Sequence, residues 1–166
     1  MSRQTALDRA RTTTGSPRAY WFWSDLVFIH VSGDETDERF SLVEFLMPPE
    51  DMTPLHVHRR DSQTTYVLEG EVTIWLPDGV HVLGPGDCIH QPSGVPQTER
   101  VTSARPARVL DVGSPAGFER FVAAAGEPAT ALTLPPADRP SPDLERFTAI
   151  AVEHGIELLG PPGMLP

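Results

Sequence analysis

A chain of 166 residues fits one domain and is long enough to bury a core, and its formal charge of −10 argues against nucleic acid or an anionic membrane as a partner. One cysteine, Cys88, excludes an intramolecular disulfide and a Cys-rich zinc site, and its apolar run makes it a small core residue. Eighteen prolines and thirteen glycines favour short strands and tight turns over long helices.

The first 18 residues mix Arg, Thr and Asp without an apolar core, so they are expected to form a flexible arm rather than a signal peptide or a membrane span. No later apolar run approaches bilayer length, and a soluble cytoplasmic protein is expected. From Ala19 the character changes to aromatic (Ala19 to Ser24) and then β-branched (Leu26 to Val31), two strands with a turn near Asp25. Phe40 to Met47 is a third strand, stopped by Pro48 and Pro49. Thr64 to Leu68 and Val72 to Leu76 form a hairpin around Glu69-Gly70-Glu71, followed by strands at Val80 to Leu83, Cys88 to Gln91, Gln97 to Val101 and Ala107 to Val112. Strands of this length separated by Gly/Pro turns predict an all-β sandwich or barrel. Beyond it, Ser114 and Pro115 read as the start of a helix ending at Gly126, and Ser141-Pro142-Asp143 opens a second helix capped by Gly155. Both helices are expected to pack outside the barrel or against a partner subunit. The division is therefore an arm at 1–18, a β-barrel at 19–113 and a helical extension of the same domain at 114–166.

Between the third strand and the hairpin lies Pro54-Leu55-His56-Val57-His58. Side chains two apart on a strand share a face, so His56 and His58 converge as a metal site requires. The chain here resembles the cupin superfamily. In the first cupin motif His56, His58 and Gly70 match, while Gln63 stands at the Glu position. In the second, Gly86, Pro92 and Gly94 match in order and spacing, Gln97 stands at the His position and Val101 at the Asn position. The aromatic start, the segment Ala116 to Phe121 and the end at His154 to Pro162 extend a resemblance to single-domain actinobacterial cupins of quercetin dioxygenase-like type over roughly residues 19 to 163.

That resemblance implies an all-β cupin fold (a double-stranded β-helix or jelly-roll barrel) with the C-terminal helices packed outside, and a homodimer formed through barrel edges. It also implies a divalent metal such as Fe, Ni, Mn or Zn, held at the positions of His56, His58, Gln63 and Gln97. The two glutamines weaken that set, since one removes a negative charge and the other a nitrogen donor. His90 would restore a third imidazole if its strand turned it inward. Asp61 is expected on the loop surface, and the sequence shows no paired carboxylates. Trp21, Trp23, Tyr66 and Trp75 are candidate pocket walls for a planar, polyoxygenated or polyketide-like substrate. Three functions remain open: a metal-dependent small-molecule dioxygenase, a metal-independent isomerase or cyclase-type tailoring enzyme using His56, His58 and the amides, with His90 if it faces inward, and a small-ligand binder without catalysis.

Overall fold

The computed structural model describes residues 18–166, so the expected N-terminal arm lies outside the described residues except for Arg18. Period-two burial sets the architecture. In β5 (Ser62–Glu69) Gln63, Thr65 and Val67 are buried while Tyr66 is exposed, and in β10 (Ala107–Ser114) Ala107, Val109, Asp111 and Gly113 are buried. These two strands pair antiparallel, and β10 also pairs with β3 (Ser41–Met47). The sheet continues through β2 (Asp25–Val31) and β1 (Ala19–Phe22) to the two-residue β11 (Glu127–Pro128), and at its other end through β5 to β8 (Cys88–Gln91).

The facing layer joins two smaller sheets. One runs through β7 (Gly79–Leu83), β6 (Val72–Leu76) and β9 (Thr98–Val101); the other pairs β4 (Pro54–His58) with β12 (Ile156–Pro162). Isolated bridges at His56–Gln97 and Met52–Arg100 connect them. The inner faces bury Val27, Val43, Met47, Val67, Val72, Ile74, Val101 and Val109 almost completely, as in a jelly-roll barrel.

Three details depart from the sequence reading. Ser114 does not cap a helix, because pairing of Gly113 with Ser41 and Gln63, and of Ser114 with Ser62, holds it in β10. α2 therefore starts at Phe118 (Phe118–Ala125) with Gly117 as its cap. The tail from Ile156 is strand β12, which lies along the histidine strand with Leu158 opposite His56 and Ile156 opposite His58. Cys88 is exposed rather than a core residue, because it lies on the outer face of the edge strand β8.

The C-terminal helices pack against the barrel with their aromatic faces inward. α3 (Leu144–Glu153) is capped by Asp143, which accepts from Glu145 N at 3.0 Å and Arg146 N at 3.1 Å. It buries Phe147 and Ala151 against Phe121 and Val122 of α2. The short α1 (Gly33–Thr36) is tied to α2 by buried Glu119, which accepts from Gly33 N at 3.0 Å and Gly117 N at 2.8 Å. Among the described residues, no helix is long and apolar enough to cross a membrane.

The hairpin turn at Gly70 packs closely against β10. Its φ is +78°, and a Cβ there would lie 2.8 Å from Ala107 Cα. Gly70→Ala is therefore expected to cost about 2 kcal/mol or more, read as a fall in the denaturant midpoint with the slope unchanged. A midpoint equal to wild type would show that the turn relaxes freely.

Candidate functional site

β4, β5 and the start of β9 bring His56, His58, Gln63 and Gln97 to one wall of a cavity of about 590 Å3 between the layers. Gln97 is fixed by two backbone bonds to the first histidine, His56 N to Gln97 O at 3.0 Å and Gln97 N to His56 O at 2.8 Å. The imidazoles lie 5.2 Å apart, centre to centre. His56 Nδ1 is 2.8 Å from the Pro54 carbonyl, which can only accept, so Nδ1 carries the proton and Nε2 keeps its lone pair. His58 Nδ1 faces the Asp61 carboxylate at 3.1 and 3.2 Å, which sets the same tautomer. Asp61 is thus buried behind His58, contrary to the surface position expected for it, because the loop after β4 folds back over the strand.

The glutamine side chains close the cluster. Gln97 Nε2 donates to Gln63 Oε1 at 2.8 Å and lies 3.4 Å from His56 Nε2. One NH2 group thereby supplies both acceptors that would otherwise turn to a cation. Burial, and then the neighbouring His58, push the His56 pKa down to about 4, so this ring is neutral at physiological pH.

An acidic wall also lines the cavity, and the sequence reading missed it. Asp25, Asp51, Glu99 and Asp111 all line the cavity. Burial pushes every one of these carboxyls upward, and neighbouring carboxylates add to the effect for Asp25 and Glu99. Asp111 and Gln91 both contact the Thr65 hydroxyl, at 2.5 and 2.9 Å, although that hydroxyl has one proton to give. The Thr65 proton goes to Asp111 Oδ1, and a half-turn of the Gln91 amide, which brings its NH2 group to the hydroxyl, resolves the conflict. The available signal was a carboxylate at an inward position of an alternating strand, since Asp111 shares its face with Val109 and Ala107. Asp25 looked like part of a turn, but it is buried in β2 opposite Phe22.

Of the expected aromatic walls only Trp23 lines the cavity; Phe22, Phe118, Phe121 and Phe147 supply the rest. Trp21 instead donates its indole N–H to Thr133 O at 2.9 Å, Tyr66 is exposed on the outer face of β5, and Trp75 is outside the lining. His90 also points outward, with Nδ1 3.0 Å from the exposed Thr64 hydroxyl. The inward residue of β8 is its neighbour Gln91, opposite Gln63. His90 therefore supplies no third imidazole.

A divalent metal fits this donor set poorly. No carboxylate stands among the four positions, and no group of three or more His, Cys, Asp or Glu among the described residues could hold a metal ion. The Gln63 amide oxygen already accepts from Gln97 Nε2. Neutral imidazole and amide donors bind late divalent metals less tightly than a set containing a carboxylate.

The fold is that of a cupin, and the model of the cupin domain matches residues 43–113 of the chain. Quercetin 2,3-dioxygenase of Bacillus subtilis (strain 168) is 34% identical to it over 94 residues, which cover 56% of this chain and 27% of that protein. The chain thus matches about a quarter of that relative's length. Among solved structures, KdgF from Halomonas sp. has a TM-score of 0.53 at 20% identity, covering 58% of this chain and 85% of its own. Oxalate decarboxylase from Bacillus subtilis has a TM-score of 0.54 at 19% identity, covering 65% of this chain and 32% of its own. These structural likenesses carry the fold alone.

Two outcomes follow from the site. Glu99 is pushed up to about 8, so its contribution to stability is complete below the usual carboxylate range and is lost as pH rises toward that value. Thermal unfolding of Glu99→Gln between pH 5 and about 9 should therefore show a flatter decline than wild type, and parallel curves would place Glu99 in water. Elemental mass spectrometry should find wild type far below one metal per chain after incubation with Fe, Ni, Mn or Zn, and Gln63→Glu/Gln97→His close to one. Stoichiometric metal in wild type would contradict the amide closure.

Proposed function

We propose that this cupin is a small-molecule enzyme that moves protons on an enolic, aromatic or polyketide-like substrate, in an isomerase- or cyclase-type reaction. The observation carrying this reading is the amide closure, in which the Gln97 NH2 group donates to Gln63 Oε1 and lies 3.4 Å from His56 Nε2, while both histidines keep Nδ1 protonated; His58 Nε2 is free to accept, and a substrate hydroxyl would displace the long Gln97 contact from His56 Nε2.

The two histidines have different tasks. Asp61 behind Nδ1 stabilises an imidazolium, so His58 is the group that accepts a proton. His56, held neutral, orients a hydroxyl of the substrate through Nε2. The acid is on the other wall, where burial keeps the Asp111 carboxyl protonated to higher pH. His58 Nε2 takes a proton from the carbon beside a carbonyl, Asp111 gives its proton to the carbonyl oxygen, and an enol results. Return of the proton from His58 to a different carbon, with the enol O–H restoring Asp111, gives an isomer and regenerates both groups. The aromatic walls exclude water around the enol.

A second reading is favoured by the identity to quercetin 2,3-dioxygenase, a metal-dependent dioxygenation using His56, His58, Gln63 and Gln97. It requires the Gln97 amide to turn its oxygen toward the histidines. The readings separate in one assay: deuterium incorporation into a panel of 1,3-diketones and flavonols, with EDTA, with and without dioxygen. Proton transfer predicts exchange that survives EDTA and anaerobiosis, falls by about 100-fold or more in His58→Ala and falls about 10-fold in Asp61→Asn. Product formation only with added metal and dioxygen would establish the second reading, and saturable binding without exchange would make the protein a binder.

A further inference from the structure

The acidic wall is underused by this chemistry, which needs one carboxyl and finds four. Among the described residues, two hydroxyls are the only side chains that reach any of them, Ser24 to Asp51 and Thr65 to Asp111. Asp25 is 6% exposed, its carboxyl has no hydrogen-bond partner, and its Oδ1 is fully enclosed. A buried carboxyl without a donor costs free energy that a ligand could recover. The Trp23 indole N–H beside it is likewise buried without an acceptor.

The one arginine near this end, Arg139, donates to the Trp23 carbonyl at 3.1 Å and is paired with Glu127. No arginine lines the cavity and the chain contains no lysine. Arg100, Arg108 and Arg120 pair with carboxylates elsewhere, at Glu50, at Glu44 and Glu69, and at Asp34 and Glu38. An anionic ligand would meet only carboxyls here. The adjoining surface is aromatic, with Phe147 centred 5.1 Å from Trp23 and 5.5 Å from Phe22.

We propose that this end of the cavity binds a protonated amine, its ammonium among Asp25, Asp51 and Glu99 and its aromatic body against Trp23 and Phe147. An ammonium brings three N–H donors and the charge that the carboxyls lack, and aromatic faces attract it further. A neutral alcohol would bring one donor and no charge. The proposal adds a substrate class to the proton-transfer reading, which concerns the other wall, and the two can fail separately.

Three probes that share a 4-hydroxyphenylethyl body test it by calorimetry at pH 7.5: tyramine, the neutral alcohol tyrosol and the anion 3-(4-hydroxyphenyl)propanoate. Tyramine should bind about 10-fold tighter than tyrosol, with the propanoate weakest. Asp25→Asn and Asp51→Asn should each remove most of that preference, and the wild-type ranking stands as the test if Asp25→Asn fails to fold. His58→Ala should keep the amine preference while losing proton exchange. Equal binding of tyramine and tyrosol, tighter binding of the propanoate, or no tyramine binding at millimolar concentration would each overturn the proposal. Amine preference without exchange would leave this site standing and sink the reaction.

Discussion

Two backbone hydrogen bonds between His56 and Gln97 hold the functional part of this molecule together. With the Met52–Arg100 bridge and the Thr53 N to Glu99 O bond, they join the two small sheets that carry β4 and β9 where the cavity begins. They also fix the Gln97 side chain beside the histidine it pairs with, so the amide reaches Gln63 and His56 together. β12 covers the other edge of β4, which leaves the histidine strand paired on one side and bridged on the other. A strand constrained in this way holds its side chains to the tolerance that proton transfer requires.

The cavity is charge-poor at one wall and donor-poor at the other. A neutral His56, its neighbour His58 and two hydrogen-bonded amides share the cavity with carboxyls whose pKa values burial raises. Burial disfavours charge here, and a ligand that supplies charge or donors gains what the protein withholds. Acid–base assignments follow from the same asymmetry. In the proposed reaction Asp61 supports His58 as the proton acceptor, and burial favours Asp111 as the donor.

Much of the fold was legible because its determinants are local. Alternation and turn glycines placed the central strands, the His-x-His spacing paired the histidines, and the resemblance to the cupin motifs pointed to Gln63 and Gln97 as the residues completing the cluster. The reading failed where pairing partners far along the chain decide. His90 and Gln91 are neighbours on β8, and only pairing with β5 determines which one faces the cavity. Asp61 looked like a loop residue until the fold placed it behind His58. The acidic wall assembles residues from β2, the segment before β4, β9 and β10, so no window of sequence contains it. Ser114 seemed a helix cap by local chemistry and was claimed instead by a ladder with two other strands.

The most direct test of the central claim, that the cluster is closed by hydrogen bonds rather than by a cation, is long-range proton–nitrogen correlation NMR of the histidine rings. The account predicts Nδ1–H tautomers for His56 and His58, no titration of His56 between pH 8 and about 5, and nitrogen shifts unchanged by EDTA or by one equivalent of zinc. A His56 ring that titrates near its ordinary value, or Nε2 shifts on both rings that move stoichiometrically with added zinc, would contradict it.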